Sequence, residues 1–188
     1  MKKNIKILVT FGLLISFIQC KAQQVFPLNT PLDDIPPNAY VKDLNNELQS
    51  FEGVFKSNFQ GNEVTLYITK VENKLKESVN KSFYRDALSV TYIIKNSSGI
   101  ILQNTQNNND ITLYSIKTMP QFNAVVLLYS GTNCGVGWGT IYFRKINSNQ
   151  IYWDYHPNDI ILDPQNCPGN QDIKIYLPVT KDLIFTKQ

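Results

Sequence analysis

The chain of 188 residues holds three cysteines and a single histidine, so any thiol or imidazole chemistry must be built from very few side chains. Cys134 lies in GTNCGVGWGT, residues 131–140, among four glycines and beside Trp138. Such a stretch suggests two chemistries. Glycine-rich backbone can cradle phosphate, and a cysteine whose pKa is lowered by a nearby base is a nucleophile. Context argues against both. A phosphate loop opens a helix whose amides face the anion, whereas this stretch runs into TIYFRK (140–145), which has the character of a strand. No Gly-Lys-Ser or Gly-Lys-Thr is present in it. The one imidazole, His156, ends a β-rich run just before Pro157 and reads as a strand-to-loop transition. Two cysteines and one histidine also lack zinc-ligand spacing, so no metal is expected.

Carboxylates are the next candidates. Asp154, Asp159 and Asp163 in DYHPNDIILD form the densest acidic set, and with Asn158 they offer oxygen ligands for calcium or a pair for acid-base hydrolysis. Their spacing matches no established calcium loop, and solvated surface carboxylates are the plainer account. Asp33 and Asp34 sit in a proline-rich lead that fixes no geometry. The 10 Tyr, 10 Phe and 2 Trp have two readings. Tyr142, Tyr152, Trp153 and Tyr155 either fill a core by cross-strand pairing or line a cup that stacks an apolar ligand. Trp138, exposed on a pinned loop, would be a rim for the same ligand.

The elements that position these residues begin with an address. A basic start, MKKNIK, precedes an apolar run at residues 7–18 and the exit FIQCKAQQ. Residues 1–22 therefore read as a secretory signal peptide. Twelve helical residues reach about 18 Å, short of the roughly 30 Å hydrocarbon layer, so the run is not a span. The exit allows cleavage after Ala22. It also resembles a bacterial lipobox, with Gln19 where small residues are usual, in which case residues 1–19 are removed and Cys20 is lipidated. Both exits stay open. The expected location is the periplasm, the outer membrane as a lipoprotein, or the exterior, with the membrane reached only through Cys20. Export leaves Cys134 and Cys167, which are expected to pair as a disulfide. The full chain has 18 Lys and Arg against 15 Asp and Glu, net +3. Removing Lys2, Lys3, Lys6 and Lys21 leaves 14 against 15, net −1, which gives no basic footprint for nucleic acid.

Residues 23–39 carry Pro27, Pro31, Pro36 and Pro37 and read as an extended tether or a strap. Residues 40–50 are expected to form one short helix, capped by Asp43 or Asn45, with Leu44 and Leu48 on one face. Period-2 alternation then predicts strands in EVTLYITKV (63–71) and ITLYSIK (111–117), and SVTYIIKNSSGIIL (89–102) gives two short apolar runs hinged on Ser97-Ser98-Gly99. AVVLLYS (124–130), DIKIYLPV (172–179) and DLIFTK (182–187) are further strands, and residues 140–156 form a hairpin turning at Asn147-Ser148-Asn149. Residues 71–88 show no clean period and suggest a strand extension followed by a long loop or helical turn. The sum is one all-β domain over 40–188: an antiparallel meander barrel, or a strongly curved sheet, of about eight to ten strands.

Gly53-Val54-Phe55 opens the first long strand just after the expected helix. It is similar to the Gly-x-Trp of lipocalins and other calycin-like barrels, with Phe55 in place of the tryptophan. Near the end of the chain only Lys181 and Lys187 stand where those barrels carry the arginine that covers this ring. Taken whole, LNNELQSFEGVF and GNEVTLYITK behind a CKAQ exit also resemble small exported Bacteroidota proteins known only as a domain of unknown function. The resemblance implies a barrel and no activity. The leading expectation is a non-enzymatic, cofactor-free barrel that binds a small apolar ligand or a protein partner at the cell envelope. Its interior would be lined by Leu66, Ile68, Val126 and Leu128, with Phe55, Trp138, Tyr142 and Trp153 as further contacts. The alternatives are an envelope structural or inhibitory lipoprotein working through its outer surface, and a hydrolase built on the acids of 154–163.

Overall fold

The structure is a computed structural model that describes residues 22–108 and 110–188. The expected signal peptide, residues 1–22, lies outside the described residues except for Ala22, and Cys20 lies outside them as well. The strands are β1 (Val25–Pro27), β2 (Tyr40–Lys42), β3 (Gly53–Phe59), β4 (Asn62–Ser78), β5 (Lys81–Lys95) and β6 (Ile101–Asn104). They continue as β7 (Leu113–Met119), β8 (Ala124–Tyr129), β9 (Gly139–Lys145), β10 (Gln150–Pro157) and β11 (Leu183–Lys187). Eight of them, β3, β4, β5, β7, β8, β9, β10 and β11, pair antiparallel in that order, and β11 returns to β3. The expected all-β meander is a closed barrel, and closure removes the bare edges that an open sheet would expose.

Alternation selects the inner face. Val64, Leu66 and Ile68 of β4 stand opposite Ile94, Tyr92 and Val90 of β5, and all six are buried. The interior is filled rather than hollow. Trp153, Tyr92, Tyr129, Tyr155, Phe55, Phe143 and Phe185 are each less than 2 % exposed. Trp153 packs its ring 5.5 Å from Phe185, 5.7 Å from Phe143 and 6.1 Å from Tyr155. Edge-to-face contacts continue through Tyr129 to Tyr92, whose hydroxyls are 2.9 Å apart. Phe55, Leu66, Ile68 and Trp153 are therefore packing residues of this core.

Four expectations are corrected. The interior phase of β8 is the other one: Val125, Leu127 and Tyr129 join the core opposite Phe143, Ile141 and Gly139, while Val126 and Leu128 face outwards. A continuous apolar run carries no internal sign of its phase, so the neighbouring strand decides it. The helix over 40–50 does not form. Tyr40–Lys42 is a strand, and the Asp43 carboxylate accepts the amides of Glu47 (2.7 Å) and Leu48 (3.3 Å), leaving one 3-10 turn at Gln49–Phe51. Leu48 is buried and Leu44 exposed, so they share no apolar face. Residues 71–88 hold neither a long loop nor a helical turn: β4 runs on to Ser78 and β5 begins at Lys81, with a register shift between Val71 and Lys74 and Asn73 at φ +51°. Residues 74–79 of this arm are largely exposed, so burial imposes no period on them. Finally, residues 172–179 pair with no strand, because β10 bonds directly to β11. They cross the barrel end instead, with Leu177 buried and the Pro178 carbonyl accepting the Trp153 Nε1–H at 2.8 Å.

The proline-rich lead lies along the barrel as a strap. β1 runs parallel to β2, and β2 parallel to β5, with Leu28, Ile35 and Ala39 buried beneath it. At β3, Lys187 stands opposite Phe55 and places its Nζ 5.8 Å from that ring's centroid.

Candidate functional site

The glycine stretch is an end plug of the barrel. Cys134 and Cys167 are disulfide-bonded across 33 positions, with Cα atoms 5.3 Å apart, which ties the plug to the loop at 163–170. A Cβ on Gly137 would lie 2.9 Å from both the Ile175 side chain and the Tyr155 hydroxyl, and that hydroxyl donates to the Gly137 carbonyl. A Cβ on Gly139 would meet the His156 carbonyl at 2.7 Å. Close approach, rather than phosphate, accounts for these glycines. Trp138 is 41 % exposed, and its Nε1 is 3.4 Å from the Asp159 carbonyl.

The acidic set does not converge. Asp154 faces His156 at 2.8 Å on β10, while Asp163 accepts the amides of Gln165 and Asn166 within its own loop. Among the described residues no three His, Cys, Asp or Glu side chains gather as a metal site. Cys134 is committed to its disulfide, so no thiolate faces His156.

A different place on the molecule gathers chemistry. The barrel's closing seam, between β5 and β7, pairs in register only at Ser89 and Tyr114. Side chains complete it: the Leu88 amide donates to Ser115 Oγ at 2.8 Å, and Arg85 donates to the carbonyls of Ile116 on β7 and of Leu28 in the strap, the latter at 3.1 Å. On this outer face Phe83, Arg85 and Ala87 of β5 stand opposite Lys76, Lys74 and Val71 of β4. The strap, the β4–β5 arm and strands β7 and β8 thus enclose a cleft of about 450 Å³. Thr30, Pro31, Leu32 and Ile35 line one side, Phe83, Arg85 and Ala87 the floor, and Tyr114, Lys117 and Leu128 the other side.

The electrostatics of this cleft are one-sided. Its charged lining is Lys74, Lys76, Arg85 and Lys117, with no carboxylate. Arg85 is only 8 % exposed, and its Nε has no hydrogen-bond partner among the described residues. Burial pushes its guanidinium down to about 10, so it keeps its charge at neutral pH. Lys74 places its Nζ 3.9 Å from the centre of the Tyr114 ring. A second, smaller cleft of about 210 Å³ between Phe122, Tyr142 and Tyr152 differs in kind, since its Arg144 is paired with Asp182 at 3.0 Å and stacked on Tyr152.

A family model matches residues 1–188, the whole of the sequence. The chain belongs to DUF6705, a family of unknown function. Neither the curated proteins nor the solved structures contain a match to it. For this DUF6705 chain the site is therefore read from its own side chains. Of the residues anticipated as ligand contacts, Leu128 lines the larger cleft and Tyr142 the smaller one, while Val126 lies on the outer face and Trp138 on the end plug. Phe55, Leu66, Ile68 and Trp153 lie inside. Sequence reasoning passed over Arg85, Lys74, Lys76, Lys117 and Tyr114. One signal was present: Arg85 is one of only two arginines beside 16 lysines, and it stands between the apolar or aromatic Phe83, Tyr84, Ala87 and Leu88.

Proposed function

We propose that this protein is a non-enzymatic binding domain of the cell envelope that takes a small, largely apolar molecule between the strap and the barrel wall. The observation that carries this reading is the cleft itself. Its volume falls within the roughly 300–1,000 Å³ of ordinary small-molecule sites. Leu32, Ile35, Phe83, Ala87 and Leu128 supply apolar walls, and a few polar groups stand among them. The aromatic filling of the interior moves the expected ligand from inside the barrel to its outer face. Export, by free secretion or through a lipid on Cys20, is the setting suggested by the basic and apolar start of the chain and by the disulfide.

The test is titration of the purified protein with N-phenyl-1-naphthylamine, a neutral apolar fluorophore. Saturable binding at one site is expected, weakened severalfold by Leu128→Asp, a change at a part-exposed position that leaves the core alone. Absence of saturable binding would sink the reading. Attention would then pass to a protein partner on the outer surface, where Phe122, Tyr142 and Ile184 are exposed.

A further inference from the structure

We infer that the molecule bound in this cleft carries an anionic head that Arg85 receives: a carboxylate, sulfonate or phosphate monoester on an apolar body, taken up free from solution. The inference rests on the cleft being a small-molecule site and adds the chemical class of its occupant.

Three observations lead there. First, Arg85 is more than nine-tenths buried, and among the described residues no carboxylate lies within ion-pair distance of it. A buried cation without a counter-charge is costly, and a chain keeps one where something supplies the anion. Secondly, the structural duty of Arg85 does not require its charge. It donates to two carbonyls, at Ile116 and Leu28, both uncharged acceptors, and its Nε is left without a partner. A guanidinium offers five donors in a planar fork suited to an oxyanion. Thirdly, the other charges at the cleft are all of one sign. Lys74, Lys76 and Lys117 stand around it, so an anion entering is attracted from every charged side. The neighbouring Asp86 does not neutralise Arg85, because its carboxylate is taken by Tyr40 and by the amides of Asp43 and Asn73. Below the head, Phe83, Ala87 and Leu128 give an apolar body a surface to bury.

A matched probe pair tests this on the purified, disulfide-bonded protein. 1-Anilinonaphthalene-8-sulfonate is N-phenyl-1-naphthylamine with one sulfonate added. The sulfonate is expected to bind roughly tenfold or more tightly than its neutral parent, the ratio that one charge-assisted hydrogen bond supplies. Arg85→Gln, which removes the charge and keeps an amide donor at the seam, should erase that preference, so that the variant binds the two probes alike. Should Arg85→Gln not fold, the double variant Lys74→Gln/Lys117→Gln must reduce the preference severalfold. Failure to do so overturns the inference. Equal binding of both probes by the unaltered protein also overturns it while leaving the cleft reading intact, whereas binding of neither removes the cleft reading itself. A sulfonate preference that survives Arg85→Gln shows that another group receives the anion. Sedimentation with phosphatidylglycerol vesicles, without binding of the free sulfonate, would make the occupant a bilayer surface and likewise overturn the inference.

Discussion

Asp86 is 1 % exposed, yet its carboxylate gathers three parts of the molecule. It accepts the Tyr40 hydroxyl from β2, the Asp43 amide at 3.0 Å from the turn that follows, and the Asn73 amide at 3.0 Å from the bulge in β4. Burial pushes its pKa up. The hydrogen bonds from Tyr40, Asp43 and Asn73, with the charge of Lys70, outweigh that and hold it below the ordinary 3.8. A folded-state pKa below the unfolded value means stabilisation that is fully present above 3.8 and lost as pH falls through the lower folded value. The urea midpoint is therefore expected to drop below about pH 4, and Asp86→Asn should flatten that drop. At neutral pH the same variant should cost roughly 1–3 kcal/mol, because the three donors lose a charged acceptor. An acid limb unchanged in Asp86→Asn would place the acid sensitivity elsewhere. Nothing in YRDAL announced this role, since a strand aspartate acquires three donors only when the strap and the bulge are folded beside it.

At the scale of the element, the outer edge of β5 is divided among partners. β2 takes Tyr84 and Arg85, β7 takes Ser89, and β6 takes Ile93 to Lys95. The barrel thus closes through one register pair reinforced by side chains, and Ser115 is the central one. Ser115→Ala would leave the buried Leu88 amide without an acceptor, at a cost of about 1–3 kcal/mol, read as a lowered urea midpoint. Ser115→Thr should restore most of it. Amide exchange should quicken at Leu88 and along β7 before it does in the β9–β10 hairpin. An unchanged midpoint would mean that Arg85 and the strap alone hold the seam. The strands themselves were legible where one face is buried, as in residues 63–71 and in the hairpin of 140–156. Residues 71–88 were not, because the arm at 72–80 is largely exposed and has no reason to alternate, while Phe83 and the residues from Arg85 to Leu88 are buried on both faces once the strap covers them.

For the whole molecule, the interior of the barrel is filled and the cleft lies on its outer face, walled by the strap. The core supplies rigidity and the strap completes the cleft. The disulfide closes a loop of 33 positions, which in the chain-entropy model stabilises the fold by about 3–4 kcal/mol. It matters most in an oxidising compartment, where it persists. Intact mass spectrometry of protein recovered from its own cells is expected to show a chain beginning at Gln23 or at a lipidated Cys20. Its mass should be lower than that of the reduced chain by the two hydrogens lost on oxidation. A chain that still begins at Met1 would overturn export, and a full complement of thiol hydrogens would overturn the disulfide in the cell.

The sequence by itself determined the cysteine pair, the all-β class and most strand positions. Those depend on local features of the chain: a count of thiols, and a period of two wherever one face meets the core. Only the tertiary structure decided the inward phase of β8, the loss of the short helix at 40–50, the strap, and the cleft with Arg85 at its floor. Each of these depends on which groups from distant segments arrive together. A run such as AVVLLY has no phase until β9 lies beside it, Asp43 caps whichever amides the turn presents, and Arg85 is an unpaired buried cation only once β7 and the strap have covered it.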